Sequence, residues 1–352
     1  MKAQKLEGTS ALGLEAGLDA LSRAAQVANA APEVVQRVDS LKSLLVNDLA
    51  MVEAGLRQAC EDGPSPGVEA ARHLVVRGGK RVRPMALLLS SACFSPPTAV
   101  TGELAVVSEL VHSATLLHDD VIDDGRERRG VPASRVVWGN AVSVLAGDLL
   151  LVHALERTSR LAPELMPDLI ATLRRLVEGE IIQLRGRSEL DVSEATYRRI
   201  LEDKTASLFS WATRTGARLA GASGADQDRL ARFGEQLGIA FQLVDDVIDY
   251  TGETSGKSLF ADLREGKTTL PLVLAVARRP ELSIPLQRLY AGDSEAVAVI
   301  SKAVVESGAC DEVRRRATEC TQRAVDALSG VSPSPARAVL EHVAAELTSR
   351  AA

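Results

Sequence analysis

Leu117-His118-Asp119-Asp120-Val121-Ile122-Asp123-Asp124 and Phe241-Gln242-Leu243-Val244-Asp245-Asp246-Val247-Ile248-Asp249 share one pentapeptide, Asp-Asp-Val-Ile-Asp, each time inside an apolar stretch. On a helix, positions i and i+4 share a face, so Asp119 lines up with Asp123 and Asp245 with Asp249. Clustered carboxylates repel one another and are costly to bury, so each cluster calls for a cation. Without a His or Cys partner the chemistry favours a hard, oxygen-seeking ion. Mg²⁺ takes one or two carboxylates, waters and phosphate oxygens, and two such helices would suit a metal–diphosphate. A single Asp-Asp-x-x-Asp at a helix end is ordinarily a solvated face. Two copies among Leu, Val and Ile do not fit that explanation.

Outward from these motifs the chain reads as helix. From Val34 to Cys60, apolar Val38, Leu41, Leu44, Leu45, Leu49 and Val52 recur at helical spacing. Glu61-Asp62-Gly63-Pro64-Ser65-Pro66-Gly67 breaks it, and a second helix runs to about Val76. Pro84 fits the first turn of the next helix. Further helices are expected over about 84–93, 99–124, 139–160, 164–187, 193–221, 225–250, 268–277, 293–307, 309–329 and 334–350, with Gly and Pro at the breaks. No alternation marks a strand. The expected fold class is all-α, one helical domain over residues 36–352 after a low-complexity, Ala-rich extension over 1–35.

Composition agrees. The chain has 352 residues, and only 3% are aromatic, which suits packed helices better than strands. A net charge of −6 argues against nucleic acid as the main partner. Cys60, Cys93, Cys310 and Cys320 lack metal-ligand spacing and read as core thiols of a reducing compartment. Glu7, Glu15 and Asp19 interrupt any secretory signal, and no uninterrupted apolar run is long enough to cross a bilayer, so the cytoplasm is the expected compartment.

Basic residues complete the pattern. Gly79-Lys80-Arg81-Val82-Arg83 sets three cations on a glycine-opened loop, and Arg126-Glu127-Arg128-Arg129-Gly130 follows the first acidic cluster. Lys204-Thr205, Lys257 and Gly266-Lys267-Thr268-Thr269 come later. Arginine forks and lysine ammonium groups match phosphate oxygens. Any one of these is ordinary surface charge; together they suggest two diphosphates, one held through metal and one directly by Lys and Arg.

The ordered set Gly-Gly-Lys-Arg-Val-Arg-Pro (78–84), the first Asp-rich motif (119–123), Arg-Arg-Gly (128–130), Gly147-Asp148, Glu180-Ile181-Ile182-Gln183-Leu184, Lys204-Thr205, the second Asp-rich motif (245–249) and Gly-Lys-Thr-Thr-Leu-Pro (266–271) resembles the trans-isoprenyl diphosphate synthases, or polyprenyl synthetases. The likeness runs from about Val38 to the C-terminus. It implies an isoprenoid-synthase-type helical bundle around a central apolar tunnel, acting as a homodimer. It also implies that isopentenyl diphosphate is condensed with an allylic diphosphate, with Mg²⁺ as cofactor, up to three ions.

Residue by residue, the resemblance makes Asp119, Asp123 and Asp245 metal ligands, with Asp120, Asp246 and Asp249 beside them and Lys204 and Lys267 completing the catalytic set. Arg128, Lys204, Thr205, Gln242, Lys257 and Lys267 would hold the allylic diphosphate. Lys80, Arg83, His112 and Arg129 would hold isopentenyl diphosphate; taken alone, His112 reads equally as a satisfied core histidine. In the family mechanism the allylic C–O bond breaks to a carbocation, the double bond of isopentenyl diphosphate attacks it, and a proton leaves to the released diphosphate.

The tunnel floor would lie near Ala114 and Thr115, one turn before the first motif, where similar short-chain members carry an aromatic. One turn rises about 5.4 Å, roughly an isoprene unit, so small Ala114 points to a medium or long all-trans product, and Val142, Ser143 and Ala146 offer no plug. Three other readings stand beside it. A geranylgeranyl diphosphate synthase differs only in product length. A non-catalytic subunit of a heteromeric synthase usually loses acidic motifs. A class I terpene cyclase generally lacks the paired motifs and is rich in aromatics.

Overall fold

A computed structural model describes residues 32–189, 191–252 and 259–349. Most of the proposed extension, and Lys257, lie outside the described residues. The elements are α1 (Pro32–Ala59), α2 (Gly67–Val75), α3 (Val82–Ala92), α4 (Ala99–Ile122), the two-residue strands β1 (Glu127–Arg128) and β2 (Val131–Pro132), α5 (Ser134–Trp138), α6 (Asn140–Leu161), α7 (Met166–Glu189) and α8 (Glu194–Ile200). A π-helical turn (Leu201–Ala206) follows, then α9 (Ser207–Leu219), α10 (Gly224–Thr251), α11 (Ala261–Arg264), α12 (Leu270–Arg278), α13 (Ser283–Tyr290), α14 (Ala296–Glu306), α15 (Ala309–Leu328) and α16 (Pro335–Ser349). The chain is all-α, as the periodicity predicts.

Three details differ from the sequence reading. Residues 127–132 form an antiparallel bridge, Glu127 opposite Pro132 and Arg128 opposite Val131. Two residues per strand are too few for an alternation to show. The helix expected over 193–221 is interrupted by the π turn. Helices α5, α11 and α13 form in stretches where no helix was expected.

The chain divides into two compact units. The first runs to Pro167 and adds Ala212–Asp228 and Val331–His342; the second comprises Asp168–Trp211 and Arg229–Gly330 and resumes at Val343. In the first unit, α4 packs most extensively on α6. Its start is set by Thr98, whose Oγ1 accepts from the Thr101 amide at 3.2 Å while Thr101 Oγ1 accepts from the Thr98 amide at 3.1 Å. Such a cap stabilises a helix by about 1 kcal/mol. Leu104, Val107, Leu110, Val111 and Leu117 are fully buried along α4, and each contributes about 2 kcal/mol by leaving water. Ser143 Oγ on α6 donates to the Leu117 carbonyl at 3.1 Å, tying the two helices one turn before Asp120.

By length and composition α4 could cross a membrane, but 72% of its apolar window is buried inside the protein. The second unit closes around a core of Leu243, Val247, Tyr250, Leu272, Ile300 and Val313, drawn from α10, α12, α14 and α15.

Candidate active site

The first Asp-rich motif ends α4. Asp119 and Asp123 are half-buried, and Asp123 is the C-cap, its amide donating to the Asp119 carbonyl at 2.8 Å. Asp120 points inward at 1% exposure. Arg128, brought back by the β1–β2 hairpin, donates to Asp120 Oδ1 from Nε at 2.9 Å and from Nη2 at 2.5 Å. Burial raises the Asp120 pKa, and the Arg128 charge partly offsets that. Asp120 Oδ2 is buried and accepts no hydrogen bond. Arg128 thus holds Asp120, a role the sequence did not suggest.

Upstream on α4 a cationic cluster forms. His112 lies among Arg83, Arg129, Arg128 and Arg81, and its pKa falls well below the usual value through burial first and those charges next. Arg83 is lowered to about 10 by burial, against the pull of Glu109, so it stays charged at neutral pH. Arg129, at φ +54°, donates to the Leu74 carbonyl at 3.0 Å. Gly79 makes room for it: a Cβ there would sit 2.9 Å from Arg129 Nη2. Lys80 is exposed beside them. The structure therefore brings Arg83, His112 and Arg129 together.

Arg81, the third cation of that loop, is committed elsewhere. It is 4% exposed at φ +46°, and it donates to Glu53 at 2.6 and 3.1 Å, to Glu109 at 2.8 Å and to the Val75 carbonyl at 2.9 Å. It anchors the loop. Ala114 is fully buried one turn before the motif, and Thr115 Oγ1 donates to the His112 carbonyl at 2.8 Å.

In the second unit the motif lies inside α10. Asp245 is half-buried, whereas Asp246 and Asp249 are 2% and 8% exposed. Asp246 accepts from Tyr197 Oη at 2.7 Å, from Gln242 Nε2 at 2.9 Å and from the Leu270 amide at 3.3 Å. Burial pushes its pKa up to about 7. Asp249 Oδ1 accepts from the Ala261 amide at 2.9 Å, pinning the start of α11. Lys267, two residues before α12's N-cap, pairs with Glu265 at 2.6 Å.

Lys204 and Thr205 occupy the π turn, where the extra residue per turn is a frequent mark of functional sites. Lys204 pairs with Glu180 of α7, and Thr205 Oγ1 donates to Gln242 Oε1 at 3.3 Å. Gly179 permits this approach, since a Cβ there would lie 3.0 Å from the Lys204 amide nitrogen. The sequence reading missed Tyr197, Glu53 and Glu109. Only Glu109 carried a signal, one turn before His112 on α4.

Among the described residues, no group of three or more His, Cys, Asp or Glu side chains could hold a metal by itself. A hard ion needs no such group if phosphate oxygens complete its shell. The all-carboxylate set and the unsatisfied Asp120 Oδ2 fit such an ion.

The polyprenyl synthetase family model matches residues 67–307, which hold both Asp-rich motifs and every basic segment described above. The chain belongs to the polyprenyl synthetase family. It is 34% identical to the all-trans-nonaprenyl-diphosphate synthase (geranyl-diphosphate specific) of Rhodobacter capsulatus, over 84% of this chain and 93% of that one. A polyprenyl synthase from Caulobacter crescentus, solved with calcium and isoprenyl diphosphate, superposes with a TM-score of 0.81 at 33% identity, covering 91% and 98% of the two chains. A geranylgeranyl pyrophosphate synthase from Lactobacillus brevis superposes at 0.80 with 28% identity, covering 86% and 96%. As a polyprenyl synthetase, the chain is a prenyltransferase of isoprenoid biosynthesis.

Proposed function

We propose that this polyprenyl synthetase lengthens an allylic diphosphate with isopentenyl diphosphate to a medium- or long-chain all-trans polyprenyl diphosphate, with Mg²⁺ as its metal. The observation that carries the reading is the cationic cluster on the first unit. Arg83, His112 and Arg129 converge beside a carboxylate motif, and two nearby acids, half-buried Glu53 and buried Glu109, bond to Arg81. Guanidinium groups gathered in this way suit the oxygens of a diphosphate.

Asp119 and Asp123 of the first motif and Asp245 of the second are the residues that would hold Mg²⁺. When bound, the metal supplies positive charge to the departing diphosphate. Lys80, Arg83, His112 and Arg129 would orient isopentenyl diphosphate through its anionic end. Lys204, Thr205, Gln242, Lys267 and Arg128 would hold the allylic diphosphate, with Lys257 in the same set. Cations at the leaving group favour cleavage of the allylic C–O bond, because they meet charge that develops only as the bond breaks. The double bond of isopentenyl diphosphate then attacks the carbocation, and the proton lost passes to the released diphosphate. Buried Asp120 and Asp246 support their motifs from beneath.

Buried Ala114 offers no bulky stop near the expected tunnel floor, which supports a long product, as does the likeness to the nonaprenyl synthase. The exposed stripe Ile170, Val177, Ile181 and Leu184 on α7 supports a homodimer. The test is incubation of the purified protein with Mg²⁺, labelled isopentenyl diphosphate and farnesyl or geranylgeranyl diphosphate, followed by sizing of the dephosphorylated products. Products longer than geranylgeranyl are expected. A stop at geranylgeranyl would overturn the long-chain reading, and no incorporation would overturn the catalytic one.

A further inference from the structure

We propose that Tyr197 is a positioning residue for the allylic diphosphate, acting through Asp246 to fix the side-chain amide of Gln242. The inference rests on the reading that Gln242 and Thr205 meet that diphosphate, and it adds a residue that the motifs do not contain.

A side-chain NH₂ donates and a carboxylate oxygen accepts. Asp246 Oδ2 accepts from Tyr197 Oη at 2.7 Å and from the Leu270 amide at 3.3 Å. Asp246 Oδ1 therefore faces Gln242, and it accepts from Nε2 at 2.9 Å. That contact admits the NH₂ end of the amide and not the carbonyl end. The Gln242 carbonyl is consequently turned to Thr205, whose hydroxyl donates to it at 3.3 Å.

The five members of this chain come from four segments: Tyr197 from α8, Thr205 from the π turn, Gln242 and Asp246 from α10, and Leu270 from the first residue of α12. Tyr197 and Asp246 are both buried, at 8% and 2% exposure, so water does not compete for their bond. Burial and the neighbouring Asp246 charge also raise the Tyr197 pKa well above its ordinary value, so the phenol remains a donor at working pH. Without the phenol, Asp246 Oδ2 keeps, among the described residues, only the long bond from Leu270. Its carboxylate is then free to rotate, and the amide of Gln242 rotates with it.

The test uses the full-length enzyme and Tyr197→Phe, which keeps the ring and removes the hydroxyl. The KM for the allylic diphosphate should rise about fivefold, the effect of one lost hydrogen bond, while the KM for isopentenyl diphosphate stays at the wild-type value. Gln242→Glu should raise the same KM, and the double variant should add little to either single change, because both break one chain. Equal shifts in both KM values, fully additive effects, or no shift would each overturn the proposal.

A second readout does not depend on turnover. The Gln242 side-chain NH₂ resonances should be protected from hydrogen exchange in the wild type and lose that protection in Tyr197→Phe. If the wild type incorporates no isopentenyl diphosphate, the proposed function fails. Unchanged protection in Tyr197→Phe would separately overturn the positioning role.

Discussion

Asp-Asp-Val-Ile-Asp occurs twice, and the two copies are held by different chemistry. In both, the leading aspartate, Asp119 or Asp245, is half-buried and the middle one, Asp120 or Asp246, is buried. Asp120 is met by a charge, the guanidinium of Arg128. Asp246 is met by neutral donors from Tyr197, Gln242 and the Leu270 amide. The third aspartate differs as well: Asp123 caps a helix that ends, whereas Asp249 lies inside a helix that continues and pins the next segment. Two turns upstream stand His112 in one copy and Gly238 in the other. The histidine joins a cationic cluster. A Cβ on the glycine would come within 2.8 Å of Ala206 Cα at the end of the π turn. A motif therefore specifies which carboxylate turns inward, and its neighbours specify what satisfies it.

The largest expected effect tests what the copies share. Asp119→Ala and Asp245→Ala should each lower kcat about a hundredfold or more, on the scale of losing one preorganised group at a developing charge. A steady-state assay at saturating Mg²⁺ reads this. If one variant retained wild-type kcat, the two leading aspartates would not be equivalent.

The next effect tests what separates them. Arg128→Met strands the Asp120 carboxylate and should destabilise the protein by about 3 kcal/mol. Tyr197→Phe removes one neutral donor of several and should cost about 1 kcal/mol. Denaturant midpoints measure both, and a reversed order would mean that Asp120 is not ionised when paired.

A smaller effect concerns His112. Its folded-state pKa is depressed, so the unfolded chain takes up a proton near pH 6.5 that the folded chain refuses. The stability this neutral histidine contributes is fully present above pH 6.5 and is lost as pH falls below it. His112→Asn should flatten that part of the stability profile, whereas Gly238, its counterpart, has nothing to titrate. Inorganic diphosphate should raise the His112 pKa, which NMR titration would show.

The smallest effect is on product distribution. Ala114→Tyr should shorten the product with little change in the rate of the first addition. Wild-type product lengths in that variant would overturn the assignment of the tunnel floor.

Much of this was legible in the sequence. Helical spacing marked α1, α4 and α10, and Thr98 after Pro96-Pro97 places the start of α4 within a residue of the expectation. What stayed hidden depends on partners distant in sequence. Nothing in Lys80-Arg81-Val82-Arg83 distinguishes the anchoring arginine from its neighbours, because Glu53 and Glu109 each lie 28 positions away. The bond from Tyr197 to Asp246 spans 49 positions. The π turn left no trace, because its composition is that of any helix.

That wide turn also makes residue count a matter of aim. Successive side chains on an α-helix point about 100° apart. A substitution within Leu201–Ala206 changes one side chain, but deleting one residue there would re-aim every side chain on one side of the gap relative to the other. Lys204 and Thr205 would no longer bear the same bearing to buried Phe209. The one surplus residue works as a phase offset, and length variation at this point should be far less tolerated than change of identity.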